Sequence, residues 1–223
     1  MKQLLLICAV VVGQSVLAAD KKPLTEEESA KVIEAAIRKA ARKPTGELTK
    51  ADLERVTFLF LSDNQLTDVP KGLEKFTKLT GLYLQDNKLT DVKGLEKLTK
   101  LKGLSLQDNK LTEVTGLEKL TQLTGLTLSD NQLTDVKGLE KLDQLTSLSL
   151  YKNQLTEVTG LEKLTQLKAL QLQNNQLTDV KGLEKLTQLK YLILAFNPAL
   201  TKAQIAELKK ALPKCKITSN PTK

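Results

Sequence analysis

The chain has 223 residues, with 34 Lys and Arg against 26 Asp and Glu, a formal charge of +8, no His and no Trp. Without His there is no Cys–His or Ser–His pair to build, and neither a Gly-rich phosphate loop nor a Ser elbow appears, so the chain reads as non-enzymatic. The charge does not form the stripe a nucleic-acid binder needs: residues 56–197 hold 18 basic and 17 acidic side chains, whereas residues 198–223 hold six Lys and one Glu.

Residues 1–18 have the three parts of a signal peptide. Lys2 supplies the charge, Leu4 to Val12 the apolar run, and Val16-Leu17-Ala18 the small-residue cleavage pattern, with Ala19 the second choice of site. The run falls short of the about 20 residues that span a bilayer, so no membrane span is expected after cleavage and the product is exported, periplasmic or secreted. Cleavage leaves Cys215 as the one cysteine; it reads as a half-buried thiol or as a link to another chain.

Residues 19–55 predict an N-terminal helical cap. Thr25 and Glu28 have capping-box spacing, Val32, Ile33, Ala36, Ile37 and Ala40 share one helical face, and Lys43-Pro44-Thr45-Gly46 breaks the helix. A second short helix is expected from Thr49 to Arg55, turning Leu48 and Leu53 inward.

Residues 56–197 contain seven repeats. Asn64, Asn87, Asn109, Asn131, Asn153, Asn175 and Asn197 recur every 22 residues, the first gap being one longer where Pro70 is inserted. Such a period means a solenoid. In the fourth unit Leu126 and Leu128 face one side of a short strand and Thr127 the other, while Leu133, Val136, Leu139 and Leu142 follow at the three-residue step of a 3₁₀ arm. One coil cannot close that apolar face alone, so neighbours must stack. An Asn amide, with donors and an acceptor, can bond the turn of its own coil and the next, giving a structural ladder. Residues 198–223 form the C-terminal cap and tail: Thr201 and Gln204 cap a helix, Ile205, Leu208 and Leu212 line it, Pro213 ends it, and Cys215 and Ile217 add an edge strand.

The LxxLxLxxN pattern from Val56 to Asn197 resembles the leucine-rich repeat family, in its 22-residue class of bacterial internalin-like proteins. The resemblance implies an α/β fold: a right-handed solenoid with a parallel concave sheet, convex 3₁₀ or short-helix arms and helical caps at both ends. It also implies protein binding. The chain departs from internalins in carrying Gly116, Gly138 and their equivalents where those proteins tend to have Pro.

The outward strand positions supply the candidate protein-binding face: Phe58, Phe60, Tyr83, Ser105, Gln107, Thr127, Ser129, Ser149, Tyr151, Gln171, Gln173, Tyr191, Ile193 and Phe196. All the aromatics of the mature chain but Phe76 fall here, and Tyr83, Tyr151 and Tyr191 are expected to carry more binding energy than any convex residue. Six strand spacings make the face about 29 Å long. The row Asp63, Asp86, Asp108 and Asp130 reads either as turn acids or as a cation-attracting edge, and it lacks the oxygen cluster of a dedicated metal site. No cofactor or metal is expected. The reading is a monomeric exported module for an unidentified protein ligand, or for a glycan; the alternative is an envelope-associated structural protein without a discrete ligand.

Overall fold

The computed structural model describes residues 24–220, so the expected signal peptide lies outside the described residues. Helix α1 runs Glu26–Ala41 and begins at the expected capping box: the Glu28 N–H donates to Thr25 Oγ1 at 3.2 Å, and the Thr25 N–H to Glu28 Oε2 at 2.8 Å. A second capping box, Thr49 with Asp52, opens α2, which is only Lys50–Leu53. Asp52 also receives Lys43 Nζ at 2.7 Å, tying the end of α1 to α2, and these bonds hold its carboxyl well below the usual carboxylate range.

Eight strands then stack in chain order as one parallel sheet. They are β1 Phe58–Phe60, β2 Gly81–Tyr83, β3 Gly103–Ser105, β4 Gly125–Thr127, β5 Ser147–Ser149, β6 Ala169–Gln171, β7 Tyr191–Ile193 and β8 Lys216–Thr218. Each is three residues long, and in β1 to β7 the middle Leu is buried. Five return arms hold a 3₁₀ turn, at Leu73–Lys75, Leu95–Lys97, Leu117–Lys119, Leu161–Lys163 and Leu183–Lys185, whereas the fourth coil, where one was expected around Leu139, makes only an ordinary turn. The seven apolar positions of the fourth coil, Leu123 to Leu142, are all at most 2% exposed and belong to one continuous core. Fully burying each contributes about 1.5–3 kcal/mol, opposed by chain entropy.

The convex glycines have a physical reason. Gly116 sits at φ +111°, and its N–H donates to Glu118 Oε2 at 2.6 Å. Proline, with φ fixed near −65° and no N–H, can do neither. A bond from its own backbone, and then the one from Gly116, lower the Glu118 pKa.

The asparagine ladder forms, with one difference from expectation: each amide ties its own coil to the preceding one. Asn131 Nδ2 donates to Leu106 O at 2.9 Å and to Leu128 O and Ser129 O at 3.1 Å, and its Oδ1 accepts the Leu111 N–H at 3.0 Å. Asn64, with no coil before it, turns its Nδ2 to Ser62 O of its own coil at 2.8 Å, and its backbone N–H donates to Asn87 Oδ1 at 3.2 Å. Gln65 adds a second left-handed residue in this first coil, at φ +56° beside Asp63.

Helix α3, Lys202–Ala211, closes the far end by burying Ile205, Leu208 and Leu212. Strand β8 copies an eighth coil, extending the sheet to about 34 Å. Asn220 imitates the ladder there: its Nδ2 donates to Asn197 O at 2.9 Å and its Oδ1 accepts the Phe196 N–H. Cys215 is a half-buried free thiol whose pKa burial pushes up.

Candidate functional site

Strand alternation puts one residue on each side of the buried leucine onto the concave face, and parallel pairing lines them up in columns. The first column runs Phe58, Gly81, Gly103, Gly125, Ser147, Ala169, Tyr191. The second runs Phe60, Tyr83, Ser105, Thr127, Ser149, Gln171, Ile193. Just past the strands a third holds Gln85, Gln107, Ser129, Tyr151 and Gln173, whose carbonyls accept from the coil before.

The ends of this face are aromatic and the middle is small. Phe58, Phe60, Tyr191 and Phe196 are 50%, 61%, 58% and 67% exposed. Phe60 stacks on Tyr83 with centroids 4.7 Å apart and planes 6° from parallel. Phe58 lies over Gly81, where an added Cβ would meet its Cδ1 at 2.4 Å, so only glycine seats the ring there. In the middle, Ser149 Oγ donates to Gln171 Oε1 at 2.7 Å and lies 2.7 Å from Ser129 Oγ, forming a chain of side-chain hydrogen bonds across three coils.

Two expected contact residues sit differently. Ser129 is 0% exposed and cannot touch a partner; its outward direction is right, but its hydroxyl is spent on Ser149. Phe196 stands not on β7 but at the turn beyond it, at φ +59°.

That turn position defines a fourth column: Asp63, Asp86, Asp108, Asp130, Lys152, Asn174 and Phe196 all have φ between 53° and 59°. Asp and Asn tolerate this left-handed backbone better than most residues, which accounts for the acidic row. Burial first, and then the neighbouring carboxylates, push the Asp86 and Asp108 pKa values up. Asp130 is different. It pairs with Lys152 and accepts from the Tyr151 hydroxyl, whose pKa burial and this bond push up to about 12. The acidic row is therefore neutralised at the fifth coil. Among the described residues no three His, Cys, Asp or Glu gather as a metal-holding group.

The sequence reading missed the small members of the first column and Gln85, although the 22-residue period from Tyr191 or Gln107 points to them. Away from this face, a cavity of about 1040 Å³ separates α1 from the first convex arms, lined by Leu24, Ile33, Ile37, Leu66, Val69 and Pro70 among others. No described helix is long and apolar enough to cross a membrane.

Stacked coils, a parallel sheet and an asparagine ladder define a leucine-rich-repeat solenoid. The family description "Leucine Rich repeats (2 copies)" matches residues 54–97, 77–119, 99–141, 121–163 and 165–210, and the chain belongs to the leucine-rich repeat family. It is similar to the crystal structure of internalin C2 from Listeria monocytogenes, with 27% identity and TM-score 0.63 over 84% of this chain and 92% of that one. It is also similar to an LRR protein of Leptospira interrogans, with 30% identity and TM-score 0.61 over 76% of this chain and 51% of that one. No curated protein matches the chain.

Proposed function

We propose that this protein is an exported, non-enzymatic module that binds another protein on its concave sheet. The observation that carries the reading is the placement of exposed aromatics. Phe58, Phe60 and Tyr191 lie on the concave columns, where the middle coils fold with Gly, Ser and Thr, so the fold does not require them. Aromatic rings give large contact area at low entropy cost and are enriched where partners dock, whereas the Lys and Glu of the convex arms are depleted from interface cores. A sheet about 34 Å long is enough to bury the about 800 Å² per partner of a standard interface.

The test is capture of partners from the source organism on immobilised protein, with two folded variants as controls. Phe58, Phe60 and Tyr191 replaced by Ala should lose the captured protein, and Lys97, Lys119 and Lys141 replaced by Ala should keep it. The opposite pattern refutes the concave-face reading.

A further inference from the structure

We propose that the N-terminal half of the concave face docks a basic amphipathic helix of a partner protein, one that sets an apolar side chain on the Phe58–Phe60–Tyr83 platform and a row of Lys or Arg along the aspartate edge. The inference rests on the concave-face reading and names the partner's chemistry.

The platform supplies the anchor. Its rings are held before binding, Phe60 by stacking on Tyr83 and Phe58 by the glycine seat at Gly81, so little rotamer freedom is left to lose. Beside it the floor drops: a Cβ built on Gly103 or Gly125 meets nothing within 4 Å, leaving an open trench next to the rings.

Charge selects the occupant. The edge past the strand ends changes sign along the solenoid. Past the ends of β1 to β3 stand Asp63, Asp86 and Asp108, with Lys102 just before β3 on the opposite edge, while in the far coils Lys152 takes the aspartate column and both Lys168 and Lys190 stand just before β6 and β7. A partner cation at the platform end therefore meets carboxylates that repel one another, and at the far end it meets lysines. That contrast fixes the direction in which a basic segment lies.

Spacing decides between helix and strand. Successive aspartates are one strand apart, about 4.8 Å, so three span about 10 Å. Three same-side residues of an extended chain span about 13 Å, two steps of two residues each. Helical positions i, i+3 and i+7 span about 10 Å at 1.5 Å rise per residue. A helix matches the row and a strand overshoots it.

The experiment measures binding of three synthetic helical peptides to the folded repeat protein. The first carries Lys at i, i+3 and i+7 beside one Leu–Phe face, the second has Glu at those positions, and the third keeps the composition of the first in scrambled order. The variant joins Asp63→Asn, Asp86→Asn and Asp108→Asn; Asn174 already occupies this column at φ +55°, so the backbone accepts the change. The first peptide should bind at least tenfold tighter than the other two, lose tenfold or more on the variant, and weaken as salt rises. Equal binding of the Lys and Glu peptides, or an unchanged affinity on the variant, overturns the proposal. Failure here leaves the wider reading separately testable: if a captured partner still depends on Phe58 and Phe60 but not on the aspartates, the face binds and this choice of partner is wrong.

Discussion

Replacing Asn131 tests what holds the coils in register. Asn131 is 8% exposed, and four hydrogen bonds converge on its amide. Asn131→Ala does not orphan all of their partners. Leu106 O keeps a bond from Asn109 Nδ2 at 3.1 Å, and Leu128 O keeps one from Asn153 Nδ2 at 3.0 Å. The Leu111 N–H loses the acceptor it has in Asn131 Oδ1. Ser129 O likewise keeps the Asp108 N–H at 3.0 Å. One buried donor left unpaired costs about 1–3 kcal/mol, and halving the donors to three carbonyls adds less, so about 2–3 kcal/mol is expected in all. Thr127→Ala removes a half-exposed side chain and should stay within about 0.5 kcal/mol. Urea unfolding followed by circular dichroism measures both. Asn131→Asp sharpens the test: it points an oxygen at three carbonyls that now receive N–H groups, so at neutral pH it should destabilise more than Ala. Part of that loss should return at acid pH, when the carboxyl regains a donor. Equal midpoints for Asn131→Ala and Thr127→Ala would refute the ladder as a source of stability.

Other consequences are open to measurement. Gly138→Ala forces a side chain onto a φ of +94° with Val114 O 3.0 Å from the new Cβ, and should cost about 1–2 kcal/mol in urea midpoints; no change would show that the arm adjusts freely. Asp108→Asn should stabilise the fold at neutral pH by about 0.2–0.5 kcal/mol after solvent screening. The sign follows from the raised pKa: the folded carboxyl binds its proton more readily than the unfolded one, so its penalty is full above the folded value and fades as pH falls through it. A variant whose advantage persists unchanged at low pH would contradict that cause. Truncation after Asn197 uncovers the last coil beneath Ile205, Leu208 and Leu212 and should produce aggregation or a much lower Tm; a soluble product of unchanged Tm would contradict it.

The solenoid was legible because its signals are local or periodic. Leu126 and Leu128 two apart, Leu133 to Leu142 three apart, and Asn131 every 22 residues each set one geometry, and the capping boxes at Thr25 and Thr201 set the helix starts. Which residues share a column follows from the same period. Exposure within a column does not. Ser129 and Gln107 occupy equivalent positions, yet solvent reaches only Gln107, because that depends on neighbouring coils and not on strand direction. The left-handed backbone at Asp63, Lys152 and Phe196 was also illegible: Asp suggests it, but Lys and Phe do not, and their φ is imposed by the coil around them. The Asp130–Lys152 pair joins residues one repeat apart, so the period brings them together although no short motif contains both.

The central claim is that the concave sheet, and not the convex arms, meets the partner. Hydroxyl-radical footprinting of the complex with a captured partner reads it most directly, since Phe58, Phe60, Tyr83 and Tyr191 report on one face and the leucine-flanking lysines of the convex 3₁₀ arms, Lys97, Lys119 and Lys163, on the other. The aromatics should be protected on binding, with Lys97, Lys119 and Lys163 as reactive as in the free protein. Protection of the convex lysines with unchanged labelling of Phe58, Phe60 and Tyr191 would contradict it.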